Sequence, residues 1–466
     1  MATVTVSTSK PQPVFQYVLL LLALAMGVGG YILTSLNRTG ALPANLGVHI
    51  ALLVALGLGG TLLVRYFAPY ADPVILPLAV GLTGLGLAMI YRIDMAYTIT
   101  GEPVVGIKQL ILVGVGLTAA FVVLIVIRDH RVLRKYTFTA MFVSILLLLS
   151  PFIPGLGRAK YGAKIWISLG PFSLQPAEFV KITLAVFFAG YLVANRDSLA
   201  VGGPKVLGIR LPRIRDLGPI LVVWGISVII LVMQRDLGTS LLYFGLFVAM
   251  IYVATNRTSW IILGGLLFIP AALVATKLFS HVGRRVNIWL NAFDPEIYDM
   301  VGGSHQVVQG QFGMASGGLF GTGWGLGYPN LVPFANSDFI LASLAEELGL
   351  TGLMAILLMY LILIERGFRA AIGVRDGFGK LLAVGISFSL ALQLFVVLGG
   401  ITRLIPLTGL TAPFLAQGGS SMVSSWIAIA LLLRISDAAR RPTPLPVNDA
   451  GTEKSKKVTV RSGASA

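Results

Sequence analysis

The sequence contains no cysteine. That excludes disulfide frameworks, thiolate metal sites and cysteine nucleophiles together. The four histidines (His49, His130, His281 and His305) are scattered, so no zinc-type cluster is spelled out. Charge is scarce too. Only 12% of the 466 residues are Asp, Glu, Lys or Arg, roughly half the share of a water-soluble domain. A water-soluble fold is excluded on that count. No internal repeat relates two halves of the chain, which argues against a secondary transporter.

What the chain has in abundance is apolar length. Hydrophobic residues make up 56% of it, and a membrane helix needs about 20 mostly apolar residues in a row. About twelve such segments are read, near 15–35, 46–69, 74–92, 105–127, 137–155, 178–194, 218–234, 239–255, 259–279, 338–364, 379–401 and 414–435. The first begins too far in, and is followed by too many others, to be a cleaved signal peptide, and no A-x-A-like site follows it. The expected fold is therefore an all-α polytopic membrane protein. Residues 70–436 form a ten-helix core, and 15–69 supply two additional N-terminal helices with Gly-rich faces suited to packing. A tail over 1–14 precedes them, and a polar, basic tail over 437–466 is expected to be disordered.

The net charge of +16 follows from loops rather than from a nucleic-acid surface. With the N-terminus placed in the cytoplasm, alternation puts most of the 35 basic residues inside. Arg128, Arg131, Arg134 and Lys135 fall there, as do Arg366, Arg369, Arg375 and Lys380. The positive-inside rule thus predicts cytoplasmic termini and a bacterial inner-membrane location.

Ionisable groups at the rim of membrane helices are costly, and they mark functional candidates. Three places stand out, all on the outer side of this topology. In GAKIWISLGPFSLQPAEFVK, Pro176 opens a helix, and Glu178 and Lys181 share one helix face three residues apart. Upstream, Trp166 lies in an amphipathic stretch expected along the membrane interface. The bland account is a structural ion pair with an aromatic anchor. In QRDLGTS, Asp236 starts a helix, and an ordinary N-cap explains it equally well. The third place is the long loop of about 280–337. It carries Arg284 and Arg285, is glycine-rich from Gly302 to Gly327, and ends at NSDFI with Asp338 at the mouth of the next span. Glu346 and Glu347 follow about two turns on. A carboxylate there suits general-base chemistry on a sugar hydroxyl; a capping aspartate is the plainer account.

At these residues the chain resembles the SEDS family (shape, elongation, division and sporulation) over roughly residues 74–436. GAKIWISLG with QPAEFVK is similar to the family's GA-x-RW-I-x-LG and QPSE-x-x-K. QRDLGTS resembles QPDLGTS, and RRVNIWLNAFDP with HQVVQGQFGMASGGLFGTGWG resembles its extracellular loop. SDFILASLAEELGL is similar to TDFIF-x-x-x-x-EELG, and PLTGLTAPFLAQGGSS to GLPLPFVSYGGSS. Five motifs in the right order make a specific match. Departures are Arg235 for the proline of QPD, Ala177 for the serine of QPSE, and Ala416-Gln417 before GGSS. Phe334 and Asn336 also stand where the family often has Glu and His. The PLTGLTAPF segment and the two extra N-terminal spans resemble the actinobacterial elongation type.

The resemblance implies a peptidoglycan glycosyltransferase that polymerises lipid II, a disaccharide-pentapeptide on undecaprenyl pyrophosphate, in cell elongation. It makes Asp338 the catalytic base. It implies substrate contacts at Trp166, Glu178, Lys181, Asp236, Arg284, Arg285, Gln306, Gln309, Ser420 and Ser421. A divalent cation (Mg or Mn) is expected, with Glu178 and Asp236 as candidate ligands, and a class B penicillin-binding protein as the partner transpeptidase. The alternatives are a lipid II flippase, a division-type member of the same family, or a non-enzymatic scaffold for that partner. Flipping needs a polar path through the whole bilayer, whereas the ionisable residues named cluster on the outer half.

Overall fold

In hydrocarbon a backbone must satisfy its own polar groups, so runs of about 20 apolar residues become helices. The computed structural model describes residues 13–43, 45–101, 104–160, 163–170, 172–196, 205–206, 209–210 and 214–442. Most of both expected tails lies outside the described residues. Long helices run over α1 (Pro13–Thr39), α2 (Leu46–Phe67, with a π-helical turn at Ala55–Gly59), α3 (Ile75–Thr100), α4 (Gly106–Val126) and α5 (Thr137–Leu149). A three-stranded antiparallel sheet follows, with β1 (Gly157–Lys160), β2 (Ala163–Leu169) and β3 (Phe172–Leu174). Then come α6 (Ala177–Ala194), α7 (Ile214–Gln234), α8 (Leu237–Thr255) and α9 (Ser259–Leu278). The bundle closes with α13 (Ile340–Gly373), α14 (Gly377–Ile401) and α15 (Gly419–Arg440). Among the described residues eleven helices are long and apolar enough to cross a membrane, and α7 occupies the remaining expected span.

Two stretches take on structure that the sequence reading did not assign. The amphipathic stretch around Trp166 is a strand: Trp166 pairs with Arg158, and Ile167 with both Gly157 and Leu174. Ile165, Ile167 and Leu169 alternate with Lys164, Trp166 and Ser168, the period of a sheet. The long connection is not structureless either. It folds into α10 (Ser280–Leu290), α11 (Pro295–Asp299) and α12 (His305–Gly317), with α12 packed on α13.

The buried centre is α3, α6, α14 and α15, flanked by α8 and α13. α1 packs along α3 so closely that a Cβ on Gly27 would lie 2.9 Å from the Gly84 Cα, the small-residue contact that membrane helices use. α13 is not continuous. Gly349 takes φ 69°, a conformation that costs any residue with a Cβ. The amides of Leu350 and Thr351 that the break releases donate instead to Gly318 and Leu319 carbonyls. One end of the bundle is tied by Asp72 to Arg366 and Arg440, and by His130 to Asp376 at 2.7 Å. The candidate site lies at the other.

Candidate active site

Four helices begin at that end. Pro176 precedes α6, Asp236 caps α8, Phe339 precedes α13 and Gly418 precedes α15. Each presents the positive end of its helix dipole, although the first-turn amides of α6 and α8 are partly satisfied, by the Gln175 and Pro176 carbonyls and by Asp236.

Polar side chains then join these starts. Lys181 Nζ donates to Glu178 Oε2 at 2.6 Å and to Gln393 Oε1 of α14 at 3.0 Å. The pair is almost wholly buried, the case in which charges must be partnered. Ser424 Oγ also donates to Glu178 Oε2, at 3.3 Å. The Gln393 amide donates in turn to the Thr411 carbonyl. Below Lys181 lies a cavity of about 20 Å³, lined also by Ser389, Gln393 and Ser425; that is room for about one water. Gln175 bridges outward: its amide nitrogen donates to Ser420 Oγ at 2.7 Å, and its side chain reaches Asp236 Oδ2 at 3.4 Å.

Asp236 does act as an N-cap. It accepts from the Thr239 amide at 3.0 Å and from the Thr239 hydroxyl at 2.7 Å. Both readings of this residue are thus compatible, because the cap also belongs to the network. Burial raises its carboxyl pKa, the Thr239 bonds and Arg285 oppose that, and Glu178 reinforces it.

Asp338 sits half-buried just ahead of α13. The N-cap position belongs to Phe339, so capping does not account for the carboxylate. Burial lifts its pKa from 3.8 to about 6. The nearby Arg285 charge and hydrogen bonds from its own amide, Ser337 and Gln306 hold it from rising further. A carboxyl near 6 is suited to accept a proton at neutral pH. Arg285 donates to the Leu407 and Thr408 carbonyls at 2.9 and 2.8 Å. Its pKa is lowered by burial, against the attraction of Asp236 and Asp338. The chain after α14 and the chain before α13 are joined by Gln417 N, which donates to the Asn336 carbonyl at 2.7 Å.

The remaining sequence candidates lie at varied depth. Ser421 is buried, and its hydroxyl has no hydrogen-bond partner in the structure. Gln306 bridges α12 to the Pro333 carbonyl at 3.2 Å, beside Asp338. Gln309 faces its own loop, donating to the Tyr298 hydroxyl at 2.8 Å. Arg284 is exposed and donates to the Val301 carbonyl, which turns it away from the network. Trp166 stays on β2. Glu346 and Glu347 are occupied elsewhere: Glu347 pairs with Arg92 at 2.8 Å and accepts from Gly325 N, and Glu346 accepts from Tyr328 N. Both shape the loop, although Glu346 Oε2 is buried without a hydrogen-bond partner. Gln393 and Ser424 escaped the sequence reading; the signal for Gln393 is one amide inside a long apolar run.

The site does not present a ready-made cation cage. Glu178 and Asp236 both already accept hydrogen bonds, Glu178 from an ammonium, and no group of three His, Asp or Glu is gathered among the described residues.

This arrangement defines a class: a polytopic helical membrane protein with a buried acid–base network at one end, roofed by a folded loop. Residues 74–441 match the family model of the cell cycle proteins FtsW, RodA and SpoVE. Peptidoglycan glycosyltransferase RodA of Mycobacterium tuberculosis is 47% identical, over 84% of this chain and 85% of its own length. Among solved structures, a chain from a peptidoglycan synthase complex that coordinates polymerization and crosslinking superposes with TM-score 0.62 at 25% identity. That match covers 79% of this chain and 98% of the other. The Thermus thermophilus rod shape determining protein RodA superposes with TM-score 0.56 at 25% identity, covering 78% and 96%. The chain belongs to the FtsW/RodA/SpoVE family, on its actinobacterial RodA-like branch.

Proposed function

We propose that the chain is a peptidoglycan glycosyltransferase that polymerises lipid II, with Asp338 as general base. The observation that carries the reading is the Asp338 carboxyl. It is half-buried, raised to about 6, and held by Gln306 and Ser337 under the charge of Arg285. Asp338 takes the proton from the 4-hydroxyl of the acceptor N-acetylglucosamine. That oxygen forms the new bond to the anomeric carbon of the donor chain, on the face opposite the lipid. The carbon–oxygen bond to the pyrophosphate breaks, both electrons leave with undecaprenyl pyrophosphate, and the configuration inverts. Arg285, Lys181 and the helix starts supply positive charge where the pyrophosphate develops its own.

The reading places this end of the bundle outside the cell and both termini in the cytoplasm, as the distribution of Lys and Arg favours. Its partner is a class B penicillin-binding protein, a reading supported by the likeness to a synthase complex chain. A divalent cation belongs to the reading as a companion of the pyrophosphate rather than as a resident of the protein, since Glu178 and Asp236 are already bonded. Cell elongation is the setting this reading favours, supported by the likeness to mycobacterial proteins named RodA and to a solved rod shape determining protein.

The test is polymerisation of purified lipid II by the detergent-solubilised chain, with and without the transpeptidase and with Mg2+ or a chelator, beside Asp338→Asn. Glycan ladders that vanish in the variant support the reading. Undiminished ladders from Asp338→Asn remove the base. No product under any condition favours lipid flipping or scaffolding.

A further inference from the structure

We infer that the first N-terminal helix, which lies outside the stretch shared with the family, positions the catalytic loop through Thr34 and Asn37. The inference rests on the proposed role of Asp338. Thr34 is fully buried on α1, and its hydroxyl accepts a hydrogen bond from Trp324 Nε1 at 2.6 Å while donating to the Gly30 carbonyl. One turn further on, Asn37 Nδ2 donates to the Trp324 backbone carbonyl at 2.7 Å. Both polar ends of Trp324 are therefore held by α1. The indole lies against Gly30, where a Cβ would stand 2.9 Å from the ring. α2 steadies α1 in turn, because the Tyr31 ring stacks on His49 at 3.8 Å and leans on Tyr91 of α3 at 4.2 Å.

Trp324 is the middle of a segment pinned on both sides. Gly323 N donates to the Glu347 carbonyl and Gly325 N to Glu347 Oε2. Arg92 donates to the Gly327 carbonyl at 2.5 Å. From there the chain passes through Pro329 and Val332 to Asp338, with the Pro333 carbonyl held by Gln306. α1, α3 and the broken start of α13 thus clamp the strap that carries the base. Thr34, Asn37 and Trp324 touch no reacting atom; they are positioning residues. Displacing a catalytic group by about an ångström costs on the order of 100-fold in rate, so a loosened strap lowers turnover before it lowers substrate binding.

The experiment compares the full chain carrying Thr34→Val together with Asn37→Leu against wild type in lipid II polymerisation, with kcat and KM separated. Thr34→Ser, and Leu21→Ala on the exposed face of α1, serve as controls. The expected result is a fall in kcat of about tenfold or more with KM changed less than about twofold. Thr34→Ser should stay near wild type, and Leu21→Ala should be unaffected. Wild-type kcat in the double variant overturns the inference. So does a loss shared by kcat, KM and the thermal midpoint that Leu21→Ala reproduces, since that is general helix damage. Asp338→Asn is assayed alongside. If it is inactive while the double variant is fully active, the positioning role alone fails; if it is fully active, the base assignment fails and this inference with it.

Discussion

The Arg92 guanidinium meets the Glu347 carboxylate at 2.8 Å with neither side chain reaching solvent. The pair joins α3 to α13, and each member also holds the loop backbone, at Gly327 and Gly325. Removing one partner of such a pair leaves a bare buried charge, which costs about 3–5 kcal/mol. Arg92→Met should therefore lower the thermal unfolding midpoint in detergent sharply, and adding Glu347→Gln should recover part of the loss. An unchanged midpoint in Arg92→Met would show the pair to be incidental.

Asp338 carries the opposite sign of effect. Its folded pKa of about 6 stands above the ordinary 3.8, so the ionised form is a burden on the folded state above pH 6. That burden fades as pH falls through 6 and is gone near 4. Asp338→Asn should raise the unfolding midpoint at pH 7.5, and the gain should shrink towards pH 4.5. A gain independent of pH would contradict the raised pKa.

Arg285 restrains that same carboxyl from rising further. Arg285→Gln removes the charge, so, if Asp338 is the base, the acid limb of the polymerisation rate should lie at higher pH than in the wild type. Arg285→Lys should move it less. A limb that stays put in both variants would mean that Arg285 does not act on the base.

Arg235 occupies the turn where the QPDLGTS motif that this stretch resembles has proline, and its φ is 64°. Proline is locked near −65° and lacks the amide that Arg235 donates to the Val232 carbonyl. Arg235→Pro should thus be destabilising although it restores the family motif. Arg235→Gly should be neutral or stabilising by up to about 1 kcal/mol, since it relieves the left-handed conformation. Thermal unfolding of the two variants decides the matter; a stable proline variant would mean that the turn adopts the family's backbone.

The spans were legible because their signal is local: each is a run whose backbone has no choice but a helix. Asp338, Glu178, Lys181 and Asp236 were legible for a related reason, being ionisable residues next to apolar runs. The strand at Trp166 is written in the two-residue alternation behind its amphipathic character, which a search for long apolar runs does not register. The helix at His305–Gly317 is hidden by its own glycines, which lower helix propensity yet let it lie against Phe339. Thr34 and Asn37 had no sequence signal at all. Their meaning comes from Trp324, far along the chain, and only the packing of α1 on α3 brings the three together.

The convergence of α6, α8, α13 and α15 has a consequence for how the site can fail. Each helix start carries roughly half a unit of positive charge from its own peptide groups. No side-chain substitution removes that contribution. On the proposed role of Lys181 and Arg285, removing them one after the other would weaken the hold on a pyrophosphate only to a floor set by the backbone. An anionic inhibitor that mimics the leaving group would, on that reading, still meet this field in a variant lacking both cations, because it is built into the chain's course.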